Sequence, residues 1–259
     1  MKNVKIIIAT TKVYPMPEDP MYLPVQVGAQ GKDDIGYQRD DQGINISGKN
    51  PMFCELTGLY WAWKNLDCDY IGLAHYRRRF KGKNGSDLTN EEASLIFDKS
   101  KIIVPGKRRY YIETLKSHYD HTHFPEDLEV TRKVIEEICP DYLPSYDKAV
   151  GRTWGYMFNM CIMERSLLDR YCSWVFQVLD EVVKRIDVSG RSAFETRYPG
   201  RISEIIYNAW LLKMMEDKVI SPEDIAEVPL YYTEKEKVFA KGVAFLKAKF
   251  LGKKQEKSF

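Results

Sequence analysis

The residues best equipped for chemistry are His75-Tyr76-Arg77-Arg78-Arg79, which follow the apolar run Tyr70–Ala74. Three consecutive arginines concentrate positive charge at a strand end, and guanidinium forks match phosphate oxygens two at a time. Fixed cations there would stabilise a diphosphate leaving group as the bond to it breaks. The bland alternative is a solvated basic turn paired to surface acids. Just upstream, Gly43-Ile44-Asn45-Ile46-Ser47-Gly48-Lys49-Asn50 offers close backbone approach at glycine and directional hydrogen bonds from Asn and Ser. It feeds a helix start, which favours anions. It lacks the spacing of a Walker loop, and its Asn and Ser residues serve equally well as turn and cap residues.

Further constellations lie downstream. Trp154 to Met160 places Asn159 in an apolar segment, where its amide needs a partner in substrate or backbone. Trp154 and Tyr156 offer a stacking platform or ordinary core. In Arg197-Tyr198-Pro199-Gly200-Arg201-Ile202-Ser203-Glu204, the carboxylate falls in the first turn of an expected helix. It either compensates the helix dipole or acts as a general base. His118, His121 and His123, with Asp120 and Asp127, carry metal-binding donors in no strong metal spacing. Asp67-Cys68-Asp69 is a literal D-x-D, but it precedes the strand Tyr70–Ala74 instead of following it. Its carboxylates are therefore expected at the opposite sheet edge. No metal site is assigned, and arginines take over the charge neutralisation that a divalent ion supplies elsewhere.

These groups need a frame. Val4–Thr10 reads as a buried strand opening into Thr10-Thr11-Lys12. Residues 14–50, rich in Pro, Gly and Asp, read as a long loop. Asn50-Pro51 opens a helix burying Met52, Leu56, Leu59, Tyr60 and Trp63. Thr89-x-x-Glu92 signals a capping box, and Lys101–Val104 a buried strand. Residues 107–125 read as loop with some helix, Glu126–Cys139 as a helix and Trp154–Met163 as a strand. Ser166-x-x-Asp169 caps a helix running to about Ile186, and another helix runs from Ser203 to about Met215. Strands alternating with helices predict an α/β domain with a mostly parallel sheet. Ligands in such sheets bind at the carboxyl ends of strands, so the loops after Thr10, Ala74, Val104 and Met163 are where to look.

The bulk numbers fit a soluble globular chain of 259 residues, with 44% hydrophobic and 29% charged residues. A net charge of +2 argues against nucleic acid as partner. Five scattered cysteines without a C-x-x-C pair suit a reducing, cytoplasmic setting. The apolar run in residues 1–10 is too short for a secretory signal, and no segment is long enough to span a membrane. The stretch 234–259 differs from the rest, with eight Lys and three Glu. Phe239, Val243, Leu246 and Phe250 form one helical stripe there, which suits either an amphipathic helix on an anionic membrane surface or a helix packed on its own domain. The division expected is a domain over 1–233 and a basic tail over 234–259.

The segments ISGKNPMFCELTGLYWAWKN, YIGLAHYRRRF, NMCIMERSLLDRYCSWVFQVLDEV and RYPGRISEIIYNAWL together resemble a family of bacterial capsular and exopolysaccharide glycosyltransferases formerly known only as a domain of unknown function. The resemblance covers roughly residues 4–215. It implies a single GT-A-like domain that transfers a sugar from a nucleotide-diphospho donor, UDP-galactose being the first to try. It also implies a lipid-linked oligosaccharide acceptor at the inner face of the cytoplasmic membrane. Thr10, Lys12, Asn45, Lys49 and Asn50 would then hold the nucleotide, and His75, Arg77 and Arg78 would face the diphosphate and sugar. Trp154, Asn159 and Arg201 would lie toward the acceptor, with Glu204 and His75 as catalytic candidates. Two other readings compete. A metal-dependent nucleotidyl- or phosphotransferase would need carboxylate ligands at the basic strand end. A non-catalytic polysaccharide-assembly or sugar-binding protein would bind sugar without nucleotide.

Overall fold

The structure is a computed structural model, and it describes residues 1–233; the tail helix expected over 234–259 lies outside the described residues. The strands are β1 (Val4–Thr10), β2 (Tyr22–Gln26), β3 (Gln38–Arg39), β4 (Tyr70–His75), β5 (Arg78–Phe80), β6 (Ile102–Pro105), β7 (Arg108–Arg109), β8 (Trp154–Gly155), β9 (Cys161–Glu164), β10 (Ile225–Val228) and β11 (Leu230–Tyr232). The helices are α1 (Asn50–Phe53), α2 (Leu56–Asn65), α3 (Asn90–Ile96), α4 (Leu115–Thr122), α5 (Pro125–Ile138), α6 (Leu143–Val150), α7 (Arg165–Arg185) and α8 (Tyr198–Glu216).

Apolar residues on both sides of each central strand dictate a sheet buried on both faces. Its order is β10-β6-β9-β4-β1-β2-β3. Along β1, Ile7 and Ala9 enter one core while Val4, Ile6 and Ile8 enter the other. Ile71 and Leu73 of β4, and Ile102 and Val104 of β6, join the first core, which α2 and α5 to α8 complete. The second, smaller core is closed by α3 through Ala93 and by Phe97 just after it. Each such aliphatic burial is worth roughly 1.5–3 kcal/mol. The pairs β1–β2, β1–β4, β2–β3 and β6–β10 are parallel, while β9 runs antiparallel between β4 and β6. The mostly parallel sheet flanked by helices is the expected class. The reversal of β9 brings the turn preceding it to the edge where β1, β4, β6 and β10 end.

Several local expectations are corrected. Residues 14–50 contain β2 and β3, hidden by Pro24 and by the brevity of β3. The first helix is broken at Cys54, whose φ of 52° leaves the helical region between α1 and α2. Asn50 is a helical residue with no cap hydrogen bond at the helix start, and its amide donates to the Cys54 carbonyl and Thr57 Oγ1. The strand expected over Trp154–Met163 is two short strands, separated by Phe158 and Asn159 with φ of 73° and 54°. The Ser166/Asp169 box does not form, since α7 has no side-chain cap and Asp169 accepts from Trp63 Nε1. Helix α8 starts at Tyr198, not Ser203, because Pro199 is pre-set for a first helical turn. Glu204 therefore sits in its second turn.

Candidate active site

The arginine cluster is a hairpin. His75 pairs with Arg78, leaving Tyr76 and Arg77 as the connection between β4 and β5. Alternation along β5 then separates two neighbours. Arg78 lies over the Phe158 ring, 4.6 Å from its centroid, and lines a cavity. Arg79 turns into the protein, where it forms a 2.8 Å ion pair with Asp87 and donates to the Pro15 carbonyl. Arg77 lies against Tyr76, 5.2 Å from its ring centroid.

The cavity, about 990 Å³, occupies the carboxyl edge of the sheet beside β4, β6 and β10. Among the described residues, Arg78, Lys107, Arg108, Arg109, Arg197 and Arg201 line it against the carboxylates of Glu55 and Glu204. Lys107 to Arg109 leave the end of β6, and Arg197 and Arg201 bracket the start of α8. Tyr110, Tyr119, Phe158 and Phe194 supply aromatic walls. The excess of cations over carboxylates among the described lining residues suits a polyanion, and the aromatic faces suit a base or sugar.

Glu204 is the perturbed acid. Burial and then the neighbouring charge of Glu55 raise its pKa from 4.5 to about 7, against the lowering influence of the Phe158 backbone N–H, Arg108 and Arg78. Glu55 is the residue preceding α2, and it accepts from Asn159 Nδ2 at 2.7 Å. Asn159 Nδ2 also donates to the Gly200 carbonyl at 2.9 Å, and Ser203 Oγ donates to Asn159 Oδ1 at 2.6 Å. His75 Nε2 lies 2.7 Å from the Phe158 carbonyl. The turn Phe158–Asn159 thus gathers the end of β4, the start of α2 and the start of α8. Two successive non-glycine residues at positive φ are costly, and such strain concentrates where geometry must be held.

Of the sequence candidates, Arg78, Arg201 and Glu204 line this cavity, and Asn159 and His75 brace it from behind. Arg201 Nη2 donates to the Phe194 carbonyl at 2.6 Å. Trp154 lies outside the cavity lining, between Lys107 and Arg152, whose charges sit 4.9 and 4.5 Å from its ring centroid. The remaining candidates gather elsewhere. The hydroxyl of Thr10 accepts from the Lys12 backbone N–H and donates to the Lys12 carbonyl, closing a tight turn. Lys12 Nζ lies over Tyr14 and Tyr76, on the other side of the hairpin. Asn45 spends its amide on the Asp41 and Gly43 carbonyls, and Lys49 pairs with Asp180. The loop 43–50 is organised by the buried Asp40, which accepts from Gly28 N, Ala29 N, Ser47 Oγ and Thr57 Oγ1.

His118 and His121 converge on the buried carboxylate of Glu113, at 3.0 and 2.7 Å. His123 contacts Tyr119 edge to face. Asp127 is taken up by Arg191 and the Tyr119 hydroxyl. Asp69 hydrogen-bonds Asn3, beside the start of β1, so Asp67 and Asp69 lie at the sheet edge opposite the cavity. Sequence reasoning missed Glu55, Phe158 and the basic run Lys107–Arg109. The last had a visible signal, since it follows a strand end just as the Arg77–Arg79 run does.

A solved structure described as the apo form of the bifunctional glycosyltransferase WbbM is similar to this chain, with a TM-score of 0.83 and 26% identity. The alignment covers 90% of this chain and 46% of that one, so the chain spans about half the length of that protein. The likeness shows the GT-A-like fold. No curated protein matches the sequence. The model of the family described as a domain of unknown function, DUF4422, matches residues 5–216, so the chain belongs to that family.

Proposed function

We propose that the protein is a glycosyltransferase that moves a hexose from a UDP-sugar, UDP-galactose first among them, to a hydroxyl of a glycan acceptor. The observation that carries this reading is Glu204, a carboxyl held near neutral pH inside an arginine-lined cavity at the carboxyl edge of the sheet. The likeness to a glycosyltransferase supports it. In the reaction, Glu204 takes the proton of the acceptor hydroxyl as its oxygen bonds the anomeric carbon. The anomeric C–O bond to phosphate breaks, and the electron pair leaves on the diphosphate. Arg78 and Arg108 meet that growing charge. Burial, and then the charge of Glu55, keep Glu204 basic enough to accept a proton near pH 7. His75 and Asn159 act as positioning residues through the Phe158–Asn159 turn. The loop after Thr10, with Lys12 and Arg77, extends the donor site toward the nucleotide. Arginine serves here in place of a divalent ion, since Asp67 and Asp69 lie at the far edge.

In the wider reading, the acceptor is a lipid-linked oligosaccharide of capsule, exopolysaccharide or O-antigen synthesis. The basic stretch 234–259 holds the enzyme to the anionic inner face of the cytoplasmic membrane. Calorimetry with UDP, GDP, CMP and ATP, first in EDTA and then with Mn²⁺, tests the donor. Selective UDP binding that survives EDTA supports the reading. UDP binding only with Mn²⁺ removes the arginine-for-metal role, and loss of all nucleotide binding overturns the transferase.

A further inference from the structure

The cations of the cavity come from separate parts of the chain, and Glu204 interacts with cations of each. Arg78 and Arg108 share the Phe158 ring, at 4.6 and 5.9 Å from its centroid. Arg197 and Arg201 belong to the α8 side. Arg197 Nε donates to Cys54 Sγ at 3.0 Å, and Arg201 donates to the Phe194 carbonyl and covers the Phe194 ring at 4.2 Å. These partners are neutral, and among the described residues neither arginine forms an ion pair with a carboxylate. Glu204 interacts electrostatically with Arg78 and Arg108, and Arg197 and Arg201 each interact with Glu204 as well.

A donor diphosphate would neutralise Arg78 and Arg108. Arg197 and Arg201 would remain as two partly buried guanidiniums, and Arg197 is among the causes that lower the pKa of Arg201, after burial. The pKa of Arg197 is itself raised, against burial, by Cys54, Glu55 and Glu204, and an anionic ligand between the two arginines would relieve the repulsion that Arg201 feels. The start of α8 lies at the same place and adds to the attraction.

We propose that Arg197 and Arg201 bind an anionic group of the acceptor, a phosphate or a carboxylate, at a site separate from the donor diphosphate. This rests on the transferase reading and names its acceptor class: a glycan with a negative charge within about one sugar unit of the reacting hydroxyl. Glu204, interacting with both pairs of arginines, then meets the hydroxyl with both substrates anchored by charge.

The test is calorimetry of protein saturated with UDP, titrated with a hexose 6-phosphate, the matching hexuronate and the neutral hexose. We expect one or both anions to bind at least 10-fold more tightly than the hexose, and the better of them identifies the group. Arg201→Gln and Arg197→Gln should abolish that preference and raise the KM of the anionic acceptor at least 10-fold, while UDP affinity holds. Arg197→Lys should restore part of it, which separates lost charge from lost folding. Displacement of the hexose phosphate by UDP would show one shared site and overturn the proposal. So would equal binding of neutral and charged sugars, or a preference that survives Arg201→Gln. If UDP does not bind, the transferase reading falls, while hexose phosphate binding that is lost in Arg201→Gln still establishes the anion site.

Discussion

Three substitutions separate chemistry from scaffolding at the level of single side chains. Glu204→Gln removes the proposed base and should lower kcat by about 100-fold or more, while UDP affinity holds. In the wild type, activity should rise with pH through about 7 as Glu204 ionises. Stability should move the other way. The unfolded carboxyl ionises near 4.5 and the folded one near 7, so stability falls as pH rises between them and levels off above. Glu204→Gln should therefore melt higher than the wild type at pH 8, with the difference shrinking toward pH 4. A melting-temperature series checks the sign. The neighbours Arg78 and Arg79 should part in the same way. Arg78→Ala should weaken UDP binding about 10- to 100-fold in calorimetry with little change in melting. Arg79→Ala strands Asp87 and should cost roughly 3–5 kcal/mol of stability in denaturant titrations. The sequence shows a run of three arginines but not their division of labour, because that depends on where β5 begins. Glu204 is legible as a candidate from its place near a helix start. Its raised pKa is not, because burial by distant segments, and then Glu55, 149 positions earlier in the chain, produce it.

Among elements, the turn before β9 does the most positioning. Asn159→Ala removes the anchor of Glu55 and should lower kcat about 10- to 100-fold with UDP affinity retained. If Glu55 relaxes away from Glu204, its charge no longer raises that pKa. The acid limb of the pH–rate profile should then shift to lower pH, and an unmoved profile would remove Asn159 from the positioning role. The continuous apolar runs of β1, β4 and β6 were legible, as was the capping box of α3, formed as its sequence suggests. The break at Phe158–Asn159 was not, because phenylalanine gives no signal of positive φ. Nor was the break at Cys54, which rests on tertiary packing beside Gly200. The early start of α8 was readable from Pro199, but the glycine after it suggested a loop.

For the whole molecule, apolar patterning indicates α/β and a net charge of +2 gives no case for nucleic acid, while the site depends on how distant segments converge. Truncation after residue 233 should leave the nucleotide site intact by calorimetry while abolishing co-sedimentation with vesicles containing anionic lipid. Persistent sedimentation would sink the membrane role of the tail.

The reversed strand β9 has a consequence for synthesis. Between the end of β4 at His75 and the start of β9 at Cys161, ribosomes take roughly 4–17 s at ~5–20 residues per second. Throughout that interval the nascent chain presents the unpaired backbone edge of β4, and from residue 105 also that of β6. Exposed edges are templates for mispairing with other chains. Cellular yield of this protein should therefore depend on chaperone occupancy of nascent chains in which β4 has left the ribosome and β9 has not. Ribosome profiling of chaperone-bound complexes should show that window as a peak that ends once β9 has emerged.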